Sequence, residues 1–219
     1  MITAANSDIV SAKYDAPTTR YAHGVFGDAV EYGALLLKLK NGKSIRFVLP
    51  ENRVFEDIAP RLSDLDGDGT AEVIVVETQV NKGAQLAVYD ESGKITATPH
   101  IGRSHRWLAP VGAADLDGDG FIELAYIDRP HLAKLLKIWR FKDGKLEFVT
   151  ETGNLTNHRF GDDYISGGIR DCGTGPEVIT ASSDWSNIMI SRLVGKTIKT
   201  QSVAPYAGPK SILRTLSCN

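Results

Sequence analysis

Two short acidic segments hold the residues that are best suited to bind a metal ion. Each reads Asp-x-Asp-x-Asp-Gly-x-x-Glu, the first over residues 64–72 and the second over residues 115–123. The four carboxylates of each segment repel one another unless a hard cation lies among them, and their alternating positions let one loop wrap that ion. The pattern therefore predicts two Ca²⁺ sites. The predicted ligands are Asp64, Asp66, Asp68, Thr70 and Glu72 in the first loop, and Asp115, Asp117, Asp119, Phe121 and Glu123 in the second.

These loops differ from EF-hands in two ways. The twelfth position of an EF-hand holds a bidentate Glu, but here it is Val75 in one loop and Tyr126 in the other. Each loop also runs into a strand-like segment, residues 72–77 and 123–128, where an EF-hand would continue as a helix. The sequence therefore predicts calcium bound to a β scaffold.

Composition limits the classes of protein. A chain of 219 residues with 42% hydrophobic content can bury one core, so we expect a single domain over residues 18–219 after an N-terminal extension at residues 1–17. Two bound Ca²⁺ ions would change the formal net charge from −2 to +2, which predicts no nucleic-acid partner. No apolar run approaches the roughly 20 residues of a membrane span.

Calcium loops and cysteine content predict a periplasmic or extracellular protein. Residues 1–11 lack the pattern of a signal peptide, so this prediction requires that a signal has been removed. Calcium is abundant outside the cytoplasm, and Cys172 and Cys218 are compatible with one disulfide. Two buried free thiols in a cytosolic protein are the alternative.

Strand-like segments come in pairs around glycine turns, which predicts β-hairpins. The first two begin 50 residues apart, at Gly33 and Gly83, and match in pattern. Repeats of this length with four short strands each are typical of β-propellers. The predicted hairpins cover residues 33–45, 83–96, 135–150 and 188–202.

An apolar segment precedes each acidic loop and is predicted to be the innermost strand of a blade. The first repeat lacks such a segment, and residues 210–216 can supply it from the C-terminus, with residues 8–14 as the rival. Closure by a terminal strand removes an exposed sheet edge. We therefore predict an all-β fold, a small β-propeller of four blades with four antiparallel strands each, closed by the C-terminal strand.

A third loop, from Asp171 to Glu177, is two residues shorter than the others and lacks the two middle Asp residues. We predict no metal there. A disulfide between Cys172 and Cys218 would tie the closing strand to the last blade.

The acidic loops, each leading into a β-strand, resemble those of FG-GAP or VCBS repeat proteins, the integrin-alpha-type propellers. Residues 106–115 and 167–173 are similar to segments of uncharacterised bacterial members of that group. The resemblance implies a propeller with Ca²⁺ in the loops that join first and second strands, and usually an export signal. Family propellers more often have seven blades, so a count of four is compatible with a homodimer or with a missing segment as well as with a monomer.

Loops on the opposite side of such a propeller would gather most of the histidine and tryptophan residues, and we predict that they bind a ligand. Arginines there could clamp a carboxylate or sulfate group, and tryptophans could stack on a sugar. The expected partner is a glycan, a small anionic molecule or a protein. The predicted ligand-binding residues are Arg106, Trp107, Arg129, His131, His158, Arg159 and Trp185.

An enzyme is the alternative. His131 or His158 could serve as general base with Asp162 orienting it, in a hydrolase or a lyase. A purely structural role is a third hypothesis. No nucleophile motif or phosphate-binding glycine loop is present, so the sequence assigns no catalytic residue.

Overall fold

The computed structural model describes residues 8–218, which form antiparallel β-structure and one short helix. Contacts divide the chain into two compact units, residues 1–107 and 108–219. The all-β class predicted from the sequence is confirmed. No helix in the described part of the chain is long and apolar enough to cross a membrane.

The first unit contains one eight-stranded sheet in the order β1-β2-β4-β6-β7-β8, with β3 pairing β2 and β5 pairing β6. Leu35 and Leu37 of the second strand pack with Phe55, Val73 and Val75 to form its core. The strands are β1 (Ile9–Thr18), β2 (Glu31–Leu39), β3 (Ser44–Val48), β4 (Arg53–Phe55), β5 (Arg61–Ser63), β6 (Glu72–Gln79), β7 (Gly83–Asp90) and β8 (Gly93–Ala97).

The second unit contains two sheets and the helix. The first sheet is a four-stranded meander in the order β12-β11-β10-β9, the form of a propeller blade, and the other has the order β13-β15-β16-β17 with β14 also pairing β15. The elements are β9 (Leu108–Ala114), β10 (Ile122–Asp128), β11 (Leu135–Lys142), β12 (Lys145–Thr152), β13 (Leu155–Thr156), β14 (Gly168–Asp171), β15 (Pro176–Ser182), β16 (Asn187–Val194), β17 (Thr197–Pro205) and α1 (Pro209–Leu216).

All three loops occupy the same place in their sheets. The first acidic loop joins β5 to β6, the second joins β9 to β10, and the shorter third loop joins β14 to β15. In each case the loop connects two neighbouring antiparallel strands, as predicted for the first and second strands of a blade. Small residues matter in β9, because a Cβ added at Gly112 would lie 3.2 Å from Cδ1 of Ile169 in β14.

The predicted closing strand is wrong, because residues 210–216 lie in helix α1. Pro209 starts this helix with a backbone φ that suits a first helical turn. Ile212 is buried and Leu216 packs on Gly168, so the apolar residues follow a helical period and cover the sheet.

The N-terminal segment also differs from its prediction. Residues 9–17, assigned to an extension, belong to β1, which pairs with β2 from Ile9 opposite Leu39 to Thr18 opposite Glu31. Residues 1–7 and 219 lie outside the described residues. The single domain over residues 18–219 and the number of blades stay predictions.

The predicted disulfide is present. Cys172 in the third loop bonds to Cys218, the second residue after α1, with a Cα–Cα distance of 5.8 Å. The bridge therefore holds the helix against the last sheet, where a strand had been expected.

Loss of this bridge should destabilise the protein. The bonded residues are 46 positions apart, and closing a loop of that size is worth about 4 kcal/mol in the chain-entropy estimate. We expect a Cys172→Ser/Cys218→Ser double variant to unfold at a clearly lower urea concentration than the oxidised wild type. Reductant should lower the wild-type midpoint in the same way and leave the variant unchanged. Equal midpoints for variant and wild type would contradict this role.

Candidate functional site

The first acidic loop brings three of its predicted ligands together. Carboxylate oxygens of Asp64, Asp66 and Glu72 lie within 4.8 Å of one another. The Asp64 carboxylate accepts backbone N–H groups from Gly67 at 2.8 Å and Gly69 at 3.0 Å. Both glycines have φ near +80°, so the loop needs residues without a side chain to curl around this carboxylate.

Glu72, the last residue of the loop, contacts the backbone at the start of the loop. It is buried at the start of β6, and its Oε2 accepts the N–H of Leu65 at 2.7 Å. Burial raises the pKa of Glu72 to about 7, and the charges of Asp66, Asp68 and Asp64 add to the effect. A cation in the loop would relieve this repulsion.

The second acidic loop repeats this geometry with Asp115, Asp117 and Glu123. Asp115 accepts the N–H groups of Gly118 at 2.8 Å and Gly120 at 3.0 Å, and Glu123 accepts that of Leu116 at 2.8 Å. In the described residues, Oδ1 of Asp117 is buried without a hydrogen-bond partner. A buried acceptor of this kind beside two other carboxylates fits a hard cation such as Ca²⁺.

Two of the other predicted ligands, Asp68 and Asp119, accept hydrogen bonds from residues of their own loops. Oδ1 of Asp68 accepts the N–H of Thr70 at 2.7 Å and its hydroxyl at 2.6 Å. Oδ1 of Asp119 accepts the N–H of Phe121 at 3.0 Å. These side chains therefore shape the loops and lie outside the two three-carboxylate sets.

Sequence reasoning missed Arg140, which lies on β11 beside the second loop. Its guanidinium contacts Asp117 at 2.6 Å, Asp119 at 2.7 Å and Glu123 at 2.6 Å. The hairpin register, which pairs Arg140 with Glu123, is the signal that could have found it.

Arginines also hold the third loop. Glu177 pairs with Arg170 at 2.9 Å and with Arg192, and Asp171 accepts the N–H groups of Gly173 and Gly175. That this loop binds no metal stays a prediction.

In the first unit, the predicted ligand residues are Arg106 and Trp107. Trp107 is only 2% exposed, and its indole N–H donates to the carbonyl of Glu56 at 2.8 Å. It is therefore a core residue, and its predicted stacking on a sugar needs an exposed ring that it lacks. Arg106 donates to the carbonyl of His105 at 2.7 Å.

A buried carboxylate that sequence reasoning missed lies nearby. Glu56 is fully buried, contacts Nδ1 of His23 at 2.5 Å and accepts the hydroxyl of Thr78 at 2.5 Å. The His105 ring lies edge-on to that of His23, with centroids 5.2 Å apart. Glu56 follows a three-residue strand and belongs to no recognisable motif, so its partners emerge only from the fold.

In the second unit, two predicted histidines meet. Nε2 of His131 lies 2.9 Å from Nδ1 of His158, and Nε2 of His158 lies 2.9 Å from the backbone carbonyl of Asp162. A carbonyl only accepts, so His158 carries its proton on Nε2, and neutral His158 accepts at Nδ1 from His131. Asp162 thus orients His158 through its main chain, where the sequence suggested its carboxylate.

The remaining predicted residues are engaged within the second unit. Arg129 makes two hydrogen bonds to the carboxylate of Asp128, at 2.8 and 3.0 Å. The guanidinium of Arg159 lies 4.5 Å above the Trp185 ring and 5.5 Å from that of Tyr206. Arg129 and Trp185 both have positive φ, at 48° and 61°, a strained conformation that is frequent at functional sites.

Comparison with known proteins finds one family model that matches both acidic loops. Residues 64–126 match the model of the FG-GAP-like repeat. The resemblance inferred from the loops is confirmed over this segment. The matched segment starts at Asp64 and ends at Tyr126, so it contains both three-carboxylate sets.

Similarity outside the FG-GAP-like repeat is distant. No curated protein matches the chain. Among solved structures, an exotype rhamnogalacturonan lyase, YesX, aligns with a TM-score of 0.49 at 14% sequence identity. The alignment covers 91% of this chain and 47% of the lyase, so the chain spans about half the length of that protein.

The raised pKa of the buried Glu31 side chain predicts that stability depends on pH. It is 3% exposed, and burial, together with the charges of Glu56, Asp28 and Asp57, raises its pKa from 4.5 to about 9. The folded state then holds a proton that the unfolded state releases, so stability should fall as the pH rises from about 4.5 to about 9.

A Glu31→Gln variant should remove this contribution. We expect its melting temperature to exceed that of wild type at pH 8 and to approach it at pH 5, measured by thermal unfolding. Glu51→Gln, at an exposed position, is the control and should follow wild type. Parallel pH profiles for Glu31→Gln and wild type would show that Glu31 ionises normally.

Proposed function

We propose that this chain is a calcium-stabilised β-propeller module, exported from the cytoplasm, that binds an acidic glycan. The proposed ligand face is a surface of the second unit formed by His131, Arg159, Phe160, Trp185 and Tyr206. Export is supported by the Cys172–Cys218 disulfide, since such bonds persist in oxidising compartments.

The calcium part of the proposal is supported by the donor chemistry of the loops. Both sets contain only carboxylates, the hard oxygen ligands that Ca²⁺ prefers. Asp64, Asp66 and Glu72 would hold one ion, and Asp115, Asp117 and Glu123 the other. A bound ion would neutralise charges that otherwise force apart the two strands joined by each loop.

Calcium should therefore stabilise the fold. We expect chelator to lower the melting temperature of wild type and excess Ca²⁺ to restore it. Asp66→Asn should lower the melting temperature in Ca²⁺ and reduce the response to chelator, because one carboxylate of the first set is lost.

The matched control is Asp143→Asn, which removes the same charge from a hairpin turn where positive φ also suits Asn. It should retain the full calcium response. A wild-type melting temperature that is unchanged by chelator would rule out the stabilising role.

The observation that carries the ligand proposal is the stacking of Arg159 on Trp185 at 4.5 Å. The aromatic ring covers one face of the guanidinium, while the N–H groups along its edge can donate to a carboxylate. Phe160, next in sequence, is 62% exposed and packs edge-on to His131 at 5.5 Å. A cationic edge beside an exposed ring suits a sugar acid, which offers both a carboxylate and an apolar ring face.

Substitutions should separate these two contributions. Arg159→Gln should weaken binding of an oligouronate about tenfold or more, since a charge-assisted hydrogen bond is lost. Phe160→Ala should weaken binding of acidic and neutral oligosaccharides alike. Isothermal titration calorimetry measures both.

Arg214→Gln, an exposed change on α1, should leave this affinity unchanged. Wild-type protein that binds neither acidic nor neutral oligosaccharides would refute the glycan proposal. Equal binding of both would refute the role of Arg159.

A hydrolase or lyase is the second candidate, favoured by the hydrogen bond between His131 and His158. A proton can pass along such a pair, which suits general acid–base catalysis. His131→Phe would keep a ring against Phe160 and remove both nitrogens. Under this hypothesis it abolishes cleavage of an acidic polysaccharide while oligouronate binding persists. A wild-type protein that binds but never cleaves would exclude the enzyme.

A further inference from the structure

The two three-carboxylate sets differ in one respect, because an arginine side chain contacts only the second set. In the second loop, Arg140 forms ion pairs with Asp117 and Glu123, two of the three clustered carboxylates, and with Asp119. Its position follows from the β10–β11 register, in which Arg140 lies opposite Glu123. A single side-chain charge therefore already offsets part of the repulsion that a metal ion would relieve.

The first loop has the opposite charge at this register position. Strands β6 and β7 pair Val73 with Tyr89, so the next position places Asp90 across from Glu72. Asp90 directs its Oδ1 to the N–H groups of Ser92 and Gly93 in its own hairpin turn. The first loop thus has a further acid where the second has a guanidinium.

The third loop completes the series. Strands β15 and β16 pair Val178 with Ser191, so Arg192 lies across from Glu177 and forms an ion pair with it. This loop also lacks the two middle Asp residues. One register position therefore holds aspartate beside the first loop and arginine beside the second and third loops.

We infer that Arg140 is an internal counter-ion that competes with the metal at the second loop, so that cations bind in two steps. The first loop is the tight site and the second is the weak site. For an ion to bind the second loop, the guanidinium must give up its contacts with Asp117 and Glu123. The side chain of Arg140 is 20% exposed, which gives it a path to solvent as the ion enters.

The consequence is a module whose second loop responds to cation concentration while the first remains filled. When the cation is scarce, Arg140 holds the loop closed. When it is abundant, the ion replaces the guanidinium, and a positive charge moves to the surface. This inference rests on the proposed calcium binding and adds an order and a control residue to it.

Calcium titration of chelator-treated protein by calorimetry tests the inference. Wild type should show two classes of site that differ at least about tenfold in affinity, because charge-assisted hydrogen bonds must break at one of them. Asp66→Asn should remove the tight class and Asp117→Asn the weak class.

Arg140→Gln should tighten the weak class about tenfold or more and leave the tight class unchanged. Arg140→Lys, which keeps the charge but loses the planar fork, should fall between Gln and wild type. The reciprocal change, Asp90→Arg, should weaken the tight class. Circular dichroism in saturating Ca²⁺ identifies variants that are folded, and Asp90→Arg tests the idea even if both Arg140 variants unfold.

Two sites of equal affinity in wild type would overturn the inference while leaving calcium binding intact. A weak class that is unchanged or weakened in folded Arg140→Gln would do the same, as would an unchanged tight class in folded Asp90→Arg. Absence of any binding to wild type would instead refute the proposed calcium sites, so the two failures are distinguishable.

Discussion

Repulsion among carboxylates that the backbone forces together is the constraint on which the rest of this structure depends. Glu72 and Glu123 are buried at the starts of β6 and β10, where each accepts a loop N–H and closes its loop. The loop backbone curls around Asp64 and Asp115, whose carboxylates accept N–H groups of the loop glycines. These loops join neighbouring strands of their sheets, so whatever balances the charge also fixes the strand pairs.

The three loops balance charge by different means. Glu177 of the third loop is held by two arginines, and Glu123 of the second is shared with Arg140. Among the described residues, no arginine or lysine forms an ion pair with the three clustered carboxylates of the first loop. The register of neighbouring hairpins therefore decides whether an arginine balances the carboxylates of each loop. The proposed ligand-binding surface is a different one, where Arg159 and Trp185 meet.

Local patterns in the sequence were sufficient for the hairpins, the acidic loops and the disulfide partners, because each depends on residues close together or on the only two cysteines. The C-terminal helix was misread, since a short apolar segment such as residues 210–216 suits a strand as well as a helix until it packs on Gly168. The ion pairs of Arg140 require the register of the β10–β11 hairpin, which the sequence analysis does not use. The burial of Trp107 could not be predicted, because it depends on contacts distant in sequence.

Hydrogen exchange at the Leu65 and Leu116 amides tests the central claim most directly, because these N–H groups donate to Glu72 and Glu123 beneath the two loops. If a cation holds the first loop together, the Leu65 amide exchanges slowly in Ca²⁺ and much faster after chelation. The Leu116 amide should change less, because Arg140 also holds the second loop. Identical exchange rates at Leu65 with and without Ca²⁺ would contradict the account.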